Sequence, residues 1–281
     1  MCSCNVGLAV LYSAVWVFGW LIQVPVHPVW QVPPPGNIQL LDGYTHERRL
    51  GKDSRVGVIK KTDGFSIGYD IGKMAGNQAK QPRPNVKWSK TQSVNGDILT
   101  IVSSPERIFA SFDSSANFNA TPKNNSDLAD FLLTIATYSP KLSPDDVRAT
   151  STIPGNIKLL PGYKHKHRQG IDTWTGTIER TNGLGIDYDI GSLAGNYALG
   201  SFEREKNKVV WFKKQYINNL ELMVTYLNDG ALEATFPATC ANFIASKVTA
   251  DEDIADFLTM IVTYRERVEI KAKPTPWDGG C

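Results

Sequence analysis

Hydrophobic and polar positions alternate with a period of two in two stretches of the chain that resemble each other. Residues 65–71 read FSIGYDI and residues 184–190 read LGIDYDI. This alternation is typical of a strand with one buried face. Asp63-Gly64 precedes the first stretch and Asn182-Gly183 the second, and such dipeptides tolerate the positive φ angles of a tight hairpin turn. Each stretch is therefore predicted to end a β-hairpin.

The period becomes helical further along each stretch. Residues 127–132 read DLADFL and residues 253–258 read DIADFL, and apolar residues continue at intervals of three and four. This spacing predicts an amphipathic helix whose apolar face packs on a sheet. The other predicted strands are 56–61, 86–94, 98–103 and 107–112 in the first stretch, and 175–180, 209–217, 220–227 and 231–236 in the second.

The two stretches are copies of one unit. Residues 36–77 align without a gap on residues 155–196, and 23 of the 42 aligned positions are identical. The sequence predicts an α+β protein of two tandem homologous domains, each an antiparallel β-meander of about five strands with a C-terminal amphipathic helix. The predicted boundaries are residues 31–140 for repeat 1, 141–150 for a linker, 151–270 for repeat 2 and 271–281 for an extended tail.

Residues 1–30 form an apolar N-terminal segment, and the first charged residue is Asp42. An apolar helix centred on residues 7–22 is just long enough to cross a hydrocarbon core of about 30 Å. We expect this helix to be a membrane signal-anchor, with a cleaved signal peptide and a buried helix of a soluble protein as alternatives. The expected location is membrane-anchored or extracytoplasmic.

Composition excludes several classes. The 281 residues carry 30 Lys+Arg and 28 Asp+Glu, and 42% of them are hydrophobic, as in an ordinary globular protein. A net charge of +2 gives no reason to expect a nucleic-acid partner. The four cysteines show no zinc-binding spacing, and Cys240 and Cys281 either pair or stay reduced. No motif predicts a metal or any other cofactor.

The best acid/base candidates are histidines that occupy the same position in both repeats. His46 and His165 follow a Gly-Tyr pair, and Asp53 and Asp172 lie seven residues later. A carboxylate that orients such a histidine would make it a general base. The alternative is a ring that hydrogen-bonds locally and packs beside a tyrosine.

A second repeated motif contains a tyrosine, an aspartate and a glycine. Alternation places the tyrosine on the apolar face and the aspartate on the opposite face. The aspartate then either binds a ligand or accepts hydrogen bonds from the amides of the following turn, and we favour this structural role. The candidate binding residues are Tyr69, Asp70, Gly72, Tyr188, Asp189 and Gly191.

Two functions remain open at this level. The first is a non-enzymatic, membrane-tethered or exported protein whose duplicated domains bind an unknown small molecule, glycan or protein. The second is a hydrolase that uses a His–Asp pair in one or both repeats. The sequence favours the first, because no nucleophile elbow, phosphate-binding loop or other catalytic motif occurs.

Overall fold

The computed structural model describes residues 33–140 and 154–265, except 171, 182, 192 and 193. The predicted apolar segment, the linker and the extended tail lie outside these described residues. Within them, no helix is long and apolar enough to span a membrane. The described residues all belong to one compact unit, which contains two antiparallel seven-stranded sheets.

The first sheet is built by repeat 1 and is followed by a helix. Its strand order is β1-β2-β3-β7-β6-β5-β4. The elements are β1 (Tyr44–Arg49), β2 (Arg55–Lys61), β3 (Ser66–Ile71), β4 (Trp88–Val94), β5 (Asp97–Ser103), β6 (Ile108–Phe112), β7 (Ala116–Ala120) and helix α1 (Asn125–Ala136).

The second sheet is built by repeat 2 and has the equivalent order, β8-β9-β10-β14-β13-β12-β11. Short 3₁₀ turns occupy Pro154–Asn156 and Pro237–Thr239. The other elements are β8 (Tyr163–Gln169), β9 (Trp174–Arg180), β10 (Gly185–Ile190), α2 (Tyr197–Arg204), β11 (Val209–Ile217), β12 (Leu220–Leu227), β13 (Leu232–Phe236), β14 (Ala241–Ala245) and α3 (Asp251–Ile261).

The identical strand order confirms the duplication but corrects the predicted meander of about five strands. Each sheet also contains a first edge strand, β1 or β8, and a short central strand, β7 or β14. Strand β1 reads YTHERR and is mostly polar and exposed after Tyr44, as is common for a strand at the edge of a sheet. Strand β7 has only five residues and pairs with β3, so the connection from β3 to β4 crosses the sheet.

One hydrophobic core serves both repeats. A single cluster of buried side chains contains residues of both sheets and of both C-terminal helices. Every residue from Asp127 to Ala136 in α1, and from Ile254 to Ile261 in α3, is buried. A helix that is buried all round must be covered on every side, and α1 and α3 pack against each other. The inner face of each sheet is the face that carries this core.

Asp130 on α1 links the two repeats through a buried ionic cluster. Its Oδ2 accepts a hydrogen bond from the Tyr44 hydroxyl at 2.7 Å and lies 3.3 Å from the Lys61 Nζ, both in its own repeat. Its Oδ1 lies 2.7 Å from the Nζ of Lys213, which belongs to the other repeat. Burial, and then the Asp130 carboxylate, raises the pKa of Tyr44, so this hydroxyl stays a donor.

Asp256 on α3 makes the reciprocal cluster. Its Oδ2 accepts from the Tyr163 hydroxyl at 2.7 Å and lies 3.0 Å from Arg180 Nη1, and its Oδ1 lies 2.7 Å from Lys90 Nζ of repeat 1. Each repeat therefore contributes a lysine to the aspartate of the other. Such reciprocal exchange is the arrangement of a two-fold symmetric dimer, here formed within one chain.

Candidate functional site

The two candidate histidines are each bound to a tyrosine of the same sheet. His46 Nε2 lies 2.6 Å from the Tyr69 hydroxyl, and His165 Nε2 lies 2.7 Å from the Tyr188 hydroxyl. The rings of each pair are stacked, with centroids 5.6 Å and 5.5 Å apart. Both repeats thus keep the same His–Tyr pair. Burial lowers the pKa of His165, and the nearby His167 lowers it further.

A glycine in the neighbouring strand makes room for each tyrosine. Gly57 on β2 is the cross-strand partner of Tyr69, and a Cβ at Gly57 would collide with the tyrosine hydroxyl and with the Glu47 carbonyl. Gly176 lies under Tyr188 in the same way. The tyrosine hydroxyl can therefore cross β2 and reach the histidine on β1. This geometry accounts for a Tyr, a His and a Gly at fixed positions in both repeats.

The predicted aspartate partners of these histidines lie in loops. Asp53 and Asp172 lie in the hairpin connections β1–β2 and β8–β9. Their backbone carbonyls lie 3.3 Å and 3.0 Å from where a Cβ at Gly72 or Gly191 would stand. In repeat 2, no hydrogen bond between described residues joins Asp172 to His165. The aspartates thus meet the second repeated motif through their main chains.

Asp70 and Asp189 lie on the outer faces of the sheets, but the structure differs from the expectation that Asp70 caps the following turn. The Gly72 amide donates to the Ser115 carbonyl at 3.0 Å, and the Ala75 amide donates to the Gly72 carbonyl at 2.9 Å. Among the described residues, the buried Oδ1 of Asp70 has no hydrogen-bond partner. Main-chain carbonyls therefore occupy the Gly72 and Ala75 amides of this turn, and Ser115 of the β6–β7 connection supplies the first of them.

Asp189 shares this arrangement and has one added contact. Its Oδ1 is also buried without a partner among the described residues, while its Oδ2 accepts a hydrogen bond from the Tyr197 hydroxyl at 3.1 Å. The Gly191 amide donates to the Cys240 carbonyl at 3.1 Å, as Gly72 does to Ser115 in the other repeat. Gly72 and Gly191 have φ angles of 153° and 154°, which favour glycine.

A buried asparagine, rather than the aspartate, holds the loop that follows. Asn117 donates through Nδ2 to the Ala75 and Gly76 carbonyls at 2.8 Å and 3.0 Å. Its Oδ1 accepts from the Gln78 amide at 2.9 Å and from the Ser111 hydroxyl at 2.5 Å. All of its ordinary hydrogen-bonding capacity is therefore used on the outer face of the sheet.

Asn242 holds the equivalent loop of repeat 2. It donates to the Ala194 and Gly195 carbonyls and accepts from the Tyr197 amide and the Thr235 hydroxyl. The signal for this role was present in the sequence as the repeated Ala-Asn-Phe and Ala-Gly-Asn motifs. Their partnership could not be read from it, because more than forty residues separate them.

An open groove lies on the outer face of repeat 1. We call it the repeat 1 groove; it has a volume of about 720 Å³, and its walls include Arg83, Asn85, Ser104, Glu106, Arg107 and Phe109. The Arg83 guanidinium stacks on the Phe109 ring, 3.4 Å from the ring centroid. The Arg107 guanidinium lies 6.0 Å from the same centroid. No sequence motif predicted this groove, because its residues have no counterparts in the aligned part of repeat 2.

The same part of the outer face is closed in repeat 2. Helix α2 packs there on β12 and β13. Its Phe202 stacks on Phe212 with centroids 4.2 Å apart, and its Ala198 amide donates to the Thr235 hydroxyl at 3.1 Å. The register places Glu233 where repeat 1 has Phe109. Burial raises the pKa of Glu233, whose Oε2 has no partner among the described residues.

The candidate residues form no recognised metal centre. No cluster of three or more potential ligands occurs among the residues that the structure describes. Comparison of the chain with protein-family models, with curated proteins and with solved structures found no match.

Proposed function

We propose that this chain is a non-enzymatic binding protein, membrane-tethered or exported, in which both repeats together form one scaffold. The observation that carries this proposal is the contrast between the outer faces of the two repeats. Repeat 2 covers its face with α2, whereas repeat 1 keeps an open groove of about 720 Å³ lined by charged and aromatic side chains. A groove of this volume falls within the usual range of small-molecule sites.

The repeated motifs support scaffolding rather than catalysis. Each histidine Nε2 is paired with a tyrosine hydroxyl, and the same geometry occurs in both repeats. A hydrolase of the His–Asp type uses Nε2 to take the proton of its nucleophile, and here a tyrosine hydroxyl of the same sheet engages that atom in both repeats. The hydrolase remains the alternative hypothesis, with His46 and His165 as its test positions.

Location is part of the proposal. The apolar segment at residues 7–22 would tether or export the repeats, and the membrane is the expected partner of that segment. A disulfide at Cys240 would fit this location, because structural disulfides are typical of oxidising compartments outside the cytoplasm. The considered pairing with Cys281 involves a residue outside the described part of the chain.

Two measurements test this function. A C-terminally tagged full-length protein, fractionated into membrane and soluble pools, should appear in the membrane or outside the cytoplasm, and the mass of its mature N-terminus would show whether residues 1–30 are removed. A panel of sugars, amino acids and short peptides should contain a compound that raises the melting temperature and is recovered unchanged by mass spectrometry. Turnover that is lost in both His46→Asn and His165→Asn would instead support the hydrolase.

A further inference from the structure

The repeat 1 groove contains two arginines whose charges no described carboxylate neutralises. Arg83 donates from Nη2 to the Gln78 carbonyl at 2.9 Å, and its Nε is buried without a partner among the described residues. Arg107 is exposed, and no ion pair with a described residue involves its guanidinium. By contrast, Lys61, Lys90 and Lys213 on the inner faces are each paired with a buried aspartate. The two groove arginines therefore present positive charge that no ion pair between described residues neutralises.

The Phe109 ring positions the guanidinium groups of the two arginines in the groove. Arg83 stacks on its ring, and Arg107 lies two residues before it on the same outer side of the sheet. A guanidinium that stacks on an aromatic face directs its N–H groups away from the ring, and in Arg83 the Nη1 group is the one that neither the Gln78 carbonyl nor burial of Nε takes up. Planar edges of this kind bind carboxylate, sulfate or phosphate through paired hydrogen bonds.

The rest of the wall restricts the ligand further. A volume of about 720 Å³ is far larger than an inorganic anion needs, so the ligand has an organic part. Glu106 also lines the groove and repels a second negative charge, but its carboxylate accepts hydrogen bonds from hydroxyl groups. Asn85 and Thr121 add polar side chains, while Pro84 and Pro105 add apolar surface.

Resting on the binding function proposed above, we infer that the repeat 1 groove binds a hydroxylated small molecule with one carboxylate, of which a uronic acid is the simplest sugar example. The carboxylate lies on the Arg83 and Arg107 guanidiniums, and the hydroxyl groups face Glu106 and Asn85. Repeat 2 has no equivalent site, because Glu233 replaces Phe109 and Ala231 replaces Arg107 in the matching register.

Isothermal titration of the full-length protein with glucuronate, glucose and glucose 6-phosphate tests this inference. Glucuronate should bind saturably at concentrations up to about 10 mM, and glucose should bind at least about tenfold more weakly, since it lacks the charge. Arg107→Gln should weaken glucuronate binding by at least about tenfold, as expected for the loss of a charge-assisted hydrogen bond. Glucose 6-phosphate, which carries more charge, should bind more weakly than glucuronate and gain affinity in Glu106→Gln.

Matched variants keep the result interpretable. Arg204→Gln removes an exposed arginine from α2 of repeat 2 and should leave glucuronate binding unchanged. Arg83→Lys keeps the charge but loses the planar fork that stacks on Phe109 and donates to Gln78, so it should weaken binding in a protein that still unfolds cooperatively. A folded Arg107→Gln that binds glucuronate as the parent does, equal affinity for glucose, or no saturable binding of glucuronate would overturn the inference. A different compound from the wider panel that binds independently of both arginines would overturn it while leaving the binding function intact.

Discussion

The two repeats resemble each other more closely on the inner faces of their sheets than on the outer faces. On the inner faces the repeats keep the same chemistry: Tyr44, Asp130 and Lys213 in one cluster correspond to Tyr163, Asp256 and Lys90 in the other. On the outer faces the strand frameworks match, yet repeat 1 has an open groove and repeat 2 has a covering helix.

This difference follows from what each face contacts. Each inner face packs on helices shared with the other repeat, so a change in one repeat must be matched in the other. An outer face contacts only its own loop, held by Asn117 or Asn242, and can change alone. A binding site can therefore form on an outer face while the framework that both repeats share stays intact. Four predictions test this comparison.

The largest expected effect is on the inner faces. Asp130→Ala and Asp256→Ala should each destabilise the protein by about 3–5 kcal/mol, because each removal leaves buried cations without their partner. Chemical denaturation of both variants measures this loss. Asp113→Ala, which breaks an exposed pair with Lys80, is the control and should cost at most about 1 kcal/mol. A large loss in only one of the two aspartate variants would break the equivalence of the inner faces.

The next effect concerns the asparagines that hold the outer loops. Asn117→Ala and Asn242→Ala should each cost about 1–3 kcal/mol, since buried carbonyls of the loop lose their donor. Hydrogen exchange should accelerate most at the Gln78 amide in the first variant and at the Tyr197 amide in the second, because each donates to the lost side chain. Unchanged exchange at both amides would mean that the loops are held by other contacts.

The third prediction is confined to repeat 2. Burial raises the folded-state pKa of Glu233 above its unfolded value, so its contribution to stability is complete at low pH and is lost as the pH rises through the folded-state pKa. Glu233→Gln should therefore gain of order 1 kcal/mol over the parent at pH 8 and little at pH 4. Urea denaturation at both pH values measures this. Glu203→Gln, at an exposed position of α2 in the same repeat, is the control; an equal gain there would point to a general charge effect.

The smallest effect is expected at the His–Tyr pairs. Tyr69→Phe and Tyr188→Phe should each lose about 0.5–1.5 kcal/mol, the usual contribution of one hydrogen bond, and the two losses should be similar. Thermal unfolding of the two variants measures them. If stability stayed constant while a turnover activity disappeared, the pair would belong to a catalytic site and the hydrolase hypothesis would gain its support.

Sequence reasoning reached the framework because local patterns encode it. Alternation in residues 65–71 and 184–190 identified β3 and β10, and helical spacing identified α1 and α3. It missed β1, a polar edge strand without regular alternation. It also favoured Asp70 as a cap of the following turn, whereas the Gly72 and Ala75 amides donate to the Ser115 and Gly72 carbonyls. Both errors concern partners supplied by other parts of the chain.

The sequence by itself determined that this protein is one unit written twice, because 23 identities in 42 positions need no coordinates to be seen. Only the tertiary structure decided that the two units share one core, since a lysine and an aspartate 83 residues apart, such as Lys213 and Asp130, carry no local sign of their contact. The repeat 1 groove likewise depends on contacts between residues that are distant in the sequence. Arg83 and Phe109 come together because β3 pairs with β7 and the loop between β3 and β4 returns across the outer face of the sheet.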